Sequence, residues 1–89
     1  MKAIVTVVGK DRVGIIAEVC VQLASFNINV LDISQTVMQG YFTMMMAVDT
    51  SGCDIPLAEL AKRMEEKGKD MNLSIRLQRE DIFEAMHRV

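Results

Sequence analysis

The stretch AIVTVVGKDRVGIIAE, from Ala3 to Glu18, changes its hydrophobic pattern halfway along and decides what the rest of the chain can build. Its first half is apolar at nearly every position up to Val8, which is typical of a central β-strand. Beyond Gly9 the apolar residues return at helical spacing. A strand that passes into a helix within so few residues predicts the first half of a β-α-β unit.

The connection between these two elements contains more glycine and charged residues than a simple bend requires. One glycine is enough to turn a chain, yet Gly9 and Gly14 bracket three consecutive charged residues. Asp11 is predicted to be the N-cap of a helix that runs to about Phe26. The apolar face of this helix is predicted to consist of Ile16, Val19, Cys20, Leu23 and Ala24. A second glycine beside exposed N–H groups suggests that something approaches the backbone closely.

The next segment predicts a hairpin of two strands. The first strand covers residues 27–38, and its alternation changes phase near Val30 and Leu31, which indicates a bulge. Gln39 and Gly40 mark the turn. Residues 41–49 form the second strand, and one of its faces is predicted to carry Phe42, Met44, Met46 and Val48.

A second helix, a fourth strand and a terminal helix follow. Pro56 suits the first turn of the helix, and Gly68 is predicted to be its C-cap. The strand alternates Leu73, Ile75 and Leu77 with Ser74, Arg76 and Gln78. Residues 80–89 are predicted to form a short helix with Ile82, Phe83, Met86 and Val89 on one side.

The element order β-α-β-β-α-β predicts a fold of the α+β class. It is the ferredoxin-like sandwich, in which two helices cover one face of a four-stranded antiparallel sheet. We expect a single domain over residues 1–89, with a core of 1–79 and a C-terminal helix over 80–89. The other face of the sheet lacks cover, so either the terminal helix or a second copy is expected to meet it. A homodimer is the favoured outcome.

Composition narrows the class of protein. The 89 residues are 51% hydrophobic and 25% charged, with a net charge of −2, which indicates a globular domain and not a dedicated nucleic-acid binder. Cys20 and Cys53 form no CxxC pair, and Cys20 is expected to pack in the core. The N-terminus shows no signal peptide, and its apolar run is too short to cross a bilayer. We therefore expect a cytoplasmic protein without a membrane partner.

The stretch VVGKDRVGIIAEVCVQLASFNINVLDISQTV resembles the ACT domain, a small regulatory module that binds amino acids in metabolic enzymes. The likeness runs through Asp11, Gly14, the first helix, Asn29 and the second strand. The chain looks most like the short stand-alone ACT-domain proteins of bacteria and archaea. These are similar in turn to the paired ACT domains of the glycine-cleavage-system transcriptional repressor. The resemblance implies that a ligand binds at the interface between two domains and favours one arrangement of the pair.

Elementary chemistry agrees with that implication. The first turn of a helix offers free N–H groups and the positive end of a dipole, which suit a carboxylate. Asp11 can receive an ammonium group, Gly14 lets the backbone approach, and Asn29 can both donate and accept. The predicted ligand-binding residues are therefore Asp11, Arg12, Val13, Gly14, Ile15 and Asn29. The structural alternative is that Asp11 only caps the helix, Gly14 only permits packing and Asn29 only satisfies a bulge.

Three other functions find less support. His87 is the single histidine and is expected at a surface or interface, and no catalytic arrangement can be assembled, so we expect no enzyme. The first loop lacks the paired cysteines of metal-carrying domains, so no metal or cofactor is expected. RNA-binding modules of this order display aromatic residues, and here only Tyr41 begins the third strand. The serious alternative is a ligand-free dimerisation or protein-interaction module. A sensor with no output domain on its own chain is expected to act on a partner enzyme or regulator.

Overall fold

The computed structural model describes residues 1–86 and has the predicted architecture. Its elements are β1 (Lys2–Lys10), α1 (Ile15–Ser25), β2 (Asn29–Met38), β3 (Tyr41–Asp49), α2 (Leu57–Asp70), β4 (Leu73–Arg79) and α3 (Glu80–Met86). The four strands form one antiparallel sheet in the order β2-β3-β1-β4. The fold is thus the ferredoxin-like α+β sandwich.

The core lies between one face of this sheet and the two long helices. Alternate residues of β3 face the helices and are buried, as the alternation of that strand predicts. Val5 and Val7 of β1 lie beside them, and Leu23 of α1 and Leu60 of α2 close the core from above. Burial of this single face provides the main stabilisation, because no buried polar residue is found among the described residues.

The hairpin between β2 and β3 confirms two predictions made from the sequence, the bulge and the turn. The register shifts between Val30 and Asp32, so Leu31 is the bulge residue where the alternation changes phase. Gln39 and Gly40 both have positive φ, 52° and 83°, which is the conformation of a two-residue hairpin turn. The turn therefore fixes the register of β2 against β3, and with it which residues of the two strands lie on the same face of the sheet.

Two predicted helix caps are wrong. The N-cap of α1 is Gly14, not Asp11, and no side chain caps the helix. The reason is that Gly14 has φ 92° and ψ 2°, a left-handed conformation that separates Asp11 from the first helical turn. Gly68 lies inside α2 and is buried, whereas Met71 is the C-cap. A glycine is needed at 68 because a Cβ there would lie 2.8 Å from the carbonyl oxygen of Leu73.

Two surfaces stay uncovered in the part of the chain that the structure describes. The edge strand β2 is exposed at every position except Val30. The sheet face away from the long helices exposes Val8, Tyr41 and Met45. The third helix, α3, contacts β1 and β4. His87 and Val89 lie outside the described residues, and no described helix is long and apolar enough to cross a membrane.

Candidate ligand site

The turn between β1 and α1 presents free backbone donors to solvent. The first four N–H groups of an α-helix have no partner inside the helix. The N-cap Gly14 supplies no side chain to satisfy them, and its left-handed conformation turns the preceding chain away. These donors and the positive end of the α1 dipole make the turn suited to a carboxylate or another small anion.

The space in front of the turn is open. A Cβ placed on Gly14 would meet no atom within 4 Å. The neighbouring Val13 is 98% exposed, so an apolar side chain lines the same opening. Ile15 is 2% exposed because its side chain enters the core. Of the predicted site residues, Ile15 can therefore contribute only its backbone.

Arg12 is held by partners that its sequence position does not reveal. Its two terminal nitrogens donate to both carboxylate oxygens of Glu18, at 3.2 and 2.8 Å, and Nη2 also lies 3.3 Å from the Met71 carbonyl oxygen. The hydrogen bond to Arg12 lowers the pKa of Glu18, and it raises the pKa of Arg12. The pair ties the turn to the first turn of α1 and to the end of α2.

Asp11 is anchored by its backbone and leaves its side chain free. Its N–H donates to the carbonyl oxygen of Gly40 at 2.8 Å, which fixes the turn against the β2–β3 hairpin. Within residues 1–86 no ion pair or hydrogen bond engages its carboxylate, and the residue is exposed. The turn thus offers a carboxylate on Asp11 and, beyond Gly14, the N–H groups at the start of α1, which suit an ammonium and a carboxylate group respectively.

Asn29 lies at the opposite end of the sheet. It pairs with Asp49, which in turn pairs with Lys2, whereas the turn follows Lys10 at the other end of β1. Along β2 the distance from Asn29 to Met38 corresponds to about 30 Å. Within one chain, the structure therefore does not bring Asn29 together with residues 11–15.

The carboxylate nearest Asn29 is already engaged. Asp49 accepts hydrogen bonds from the hydroxyl of Ser51 at 2.6 Å and from its N–H at 3.0 Å. These bonds, chiefly that of the hydroxyl, lower its pKa, and the N-terminal ammonium lies 3.5 Å away. Asp49, the strand partner of Asn29, is therefore not a free acid for a ligand.

The depressions of a single chain do not include the opening over Gly14. One of about 430 Å³ runs between α1 and α2 beside Phe26 and Arg63, and another of about 430 Å³ lies on the far side of the Arg12–Glu18 pair, beside Glu18, Val21 and Met71. None of the predicted site residues lines either of them. Enclosure of a ligand at the turn would therefore need a second surface.

The Arg12–Glu18 pair predicts a pH-dependent stability. Because the pKa of Glu18 is lowered in the folded state, its contribution is present above the ordinary value of 4.5 and is lost as pH falls through the lowered pKa. We expect Glu18→Gln to unfold at a lower temperature than the unmodified chain at neutral pH, and the gap to close in acid. Thermal unfolding across pH measures this, with the exposed Glu65→Gln as control. A gap that persists below the folded pKa would contradict the assignment.

Sequence reasoning missed Glu18 and the hairpin carbonyl of Gly40 as parts of the site. Glu18 lies six residues beyond Arg12. Side chains at this spacing are not neighbours on a regular helix, and these two meet because Arg12 lies in the turn before α1. Gly40 was assigned only to the hairpin. The sequence singles out Gly14 as a point of close backbone approach, but it does not predict the positive φ that makes this glycine the N-cap of α1.

Architecture and turn together define a class of protein: a small α+β module with an open, donor-rich strand-to-helix turn. The family model for the ACT domain matches residues 2–78. The chain therefore belongs to the ACT domain family of regulatory domains that bind small molecules.

Relatives place it more narrowly. A UPF0237 protein of Bifidobacterium longum is 53% identical over 88 residues, covering 99% of this chain and 98% of that protein. The solved ACT domain protein from Streptococcus pneumoniae is 44% identical, with a TM-score of 0.83 and 94% of both chains covered. A putative glycine cleavage system transcriptional repressor shares the fold, at 22% identity and a TM-score of 0.71, over 86% of this chain and 44% of that one.

Proposed function

We propose that this chain is a non-catalytic sensor that binds a free amino acid between two copies of itself and acts on a partner protein. The observation that carries the proposal is the separation of the site into two halves. The open turn lies at one end of the sheet, and Asn29 lies at the other end. A second copy can join the halves.

The edge strand β2 provides the means of joining them. Its ten residues run along the free edge of the sheet, where backbone groups can pair with another strand. It also exposes several apolar side chains, namely Leu31, Ile33, Val37 and Met38. Ordinary edge strands are short or charged, so a long apolar edge favours pairing with a second β2.

We place the two-fold axis of an antiparallel β2 pair at the middle of the strand, between Ile33 and Ser34, because this register pairs the full length of both strands. The first residue of one strand then comes opposite the last residue of the other. Asn29 of the partner subunit then lies near Met38, and the hairpin that follows Met38 holds Asp11 through Gly40. Each turn would thereby gain an amide from the neighbouring copy, and the dimer would contain two identical sites.

The chemistry of such a site matches an amino acid. The free N–H groups at the start of α1 suit the carboxylate, and Asp11 suits the ammonium group. The open space over Gly14 accommodates the Cα atom, with Val13 beside it and Arg12 held to one side by Glu18. Asn29 of the partner subunit would donate and accept at the remaining polar positions. Membership of the ACT domain family supports this choice of ligand class.

The proposed amino-acid binding predicts a rise in thermal stability. A ligand present at about 100 times its Kd stabilises the folded state by about 2.7 kcal/mol, which corresponds to a rise of several degrees in Tm. We expect one or a few of the common amino acids to produce this shift. The matched α-keto acid, which lacks the ammonium group, and the matched amine, which lacks the carboxylate, should not.

The alternative function is a ligand-free dimerisation module, which the apolar β2 edge also favours. The same screen separates the two. A folded dimer that no amino acid stabilises at millimolar concentration would refute the sensor and leave the interaction module.

A further inference from the structure

The uncovered face of the sheet, here called the open face, lies opposite the long helices and is distinct from the β2 edge. Its centre combines apolar residues with two threonines: Ile4 pairs with Ala47, Met45 with Thr6, and Val8 with Thr43. Val8 and Met45 are exposed. The third helix packs at the end of β1 and β4 beside Lys2 and Arg79, and so leaves β2 and β3 uncovered on this face.

Charge divides the strands of the open face into two halves. Lys10 of β1 and Arg76 of β4 lie on one half, and within residues 1–86 neither makes an ion pair. Lys2 lies on the same half, near the carboxylates of α3. Asp32 of β2 lies on the other half, where its side chain accepts only the N–H of Ile33 at 2.9 Å. The open face thus carries unpaired cations on one side and an available anion on the other.

A depression in the acidic half has the right lining for a basic side chain. Its volume is about 210 Å³, and its lining includes Asp32, Ser34, Met45 and Ala47. An arginine combines an apolar stem with a guanidinium that can grip a carboxylate with two hydrogen bonds. Apolar walls with one carboxylate at the rim match both parts of that side chain.

We propose that the open face is a second self-association surface, on which two copies stack their sheets about a two-fold axis parallel to the strands. This axis lays β4 of one copy over β2 of the other, so Arg76 reaches the depression and Asp32 of the partner subunit. The register supports the pairing, because Arg76 and Ser34 occupy the same row across the sheet. A two-fold axis across the strands would instead place Arg76 against its own copy.

The size of the face is sufficient for such an interface. Four strands about 4.8 Å apart and about 25 Å long cover roughly 500 Å² in projection. Because side chains project from the sheet, the accessible area of this face exceeds its projected area. It approaches the roughly 800 Å² per partner that a standard interface buries. The stack leaves the β2 edges free, so both associations can coexist. The stacking axis passes over the middle of the sheet and does not meet the two-fold axis of a β2 pair, so the two contacts together produce an open double-layered ribbon.

The first experiment compares the mass in solution of two charge-inserting variants by sedimentation equilibrium over a wide concentration range. We expect Met45→Glu, on the open face, to reduce the mass of the assembly to that of the pair joined at the β2 edge. Val21→Glu, at an exposed position of α1, should leave the mass unchanged. The two variants should keep the melting temperature and any amino-acid response, because neither residue touches the turn. An unchanged mass for Met45→Glu would overturn the proposal.

A charge exchange tests the axis. Arg76→Glu or Asp32→Arg alone should weaken the stacked association about tenfold or more, because each sets like charges against one another. The double variant restores opposite charges across the interface and should recover most of the loss. Recovery supports the axis parallel to the strands, and a double variant that associates no better than the single variants contradicts it. Neither result depends on whether an amino acid binds at the β2 edge.

Discussion

Replacing Gly14 with leucine is expected to reduce amino-acid binding by about 100-fold or more, equivalent to about 2.7 kcal/mol. Two physical effects combine. The leucine side chain fills the space that is open over the turn, where a Cβ meets nothing within 4 Å. It also places a side chain on a residue with φ 92°, a conformation that disfavours every residue except glycine and destabilises the turn by about 1–2 kcal/mol. Calorimetric titration with the amino acid that stabilises the unmodified chain measures the loss.

The matched control is Gly14→Ala. Alanine places a Cβ on the same residue with φ 92°, where it meets no atom within 4 Å. Both variants therefore bear a similar backbone strain, and their Tm values should fall together. Only leucine extends a side chain further into the opening in front of α1. Equal loss of binding in the two variants would show that strain alone is responsible, and would refute a ligand seat over Gly14.

The alternation of apolar residues predicted most of the fold correctly. In β3 a period of two assigned Phe42 and Met44 to the core, and the change of phase at Leu31 located the bulge in β2. These features depend on neighbours along the chain, so the sequence contains them directly. The antiparallel sheet with helices on one face followed from the element order and the handedness of crossovers.

The wrong predictions concern residues whose role depends on contacts with residues distant in sequence. Gly68 was predicted to end α2 because glycine often follows a helix. In the structure the helix continues, and the absence of a side chain lets it approach Leu73 and Ile75 of β4. The chain reverses instead at Asn72, with φ 58°. No local pattern distinguishes a glycine that ends a helix from one that permits contact with a strand.

In the candidate site, too, the sequence indicates local features of the backbone but not contacts between distant segments. The sequence indicates that Gly14 permits a close approach to the backbone, but it does not predict the left-handed conformation of this residue. The bond from Asp11 to Gly40 and the engagement of Arg12 by Glu18 and Met71 required the folded chain. The placement of Asn29 at the far end of the sheet follows from strand register alone. Because Asn29 and the turn lie far apart within one chain, we propose that they form a site between two chains.

The most direct measurement of the proposed shared site mixes two defective chains. Gly14→Leu retains Asn29, and Asn29→Ala retains the turn, so neither variant alone should bind. After dissociation and random reassembly, half of the dimers contain one chain of each kind. Each mixed dimer has one site with both halves intact, so about one quarter of the unmodified binding capacity should return. If titration of the mixture shows no recovered sites, the two halves do not meet across a pair of copies, and the central claim is wrong.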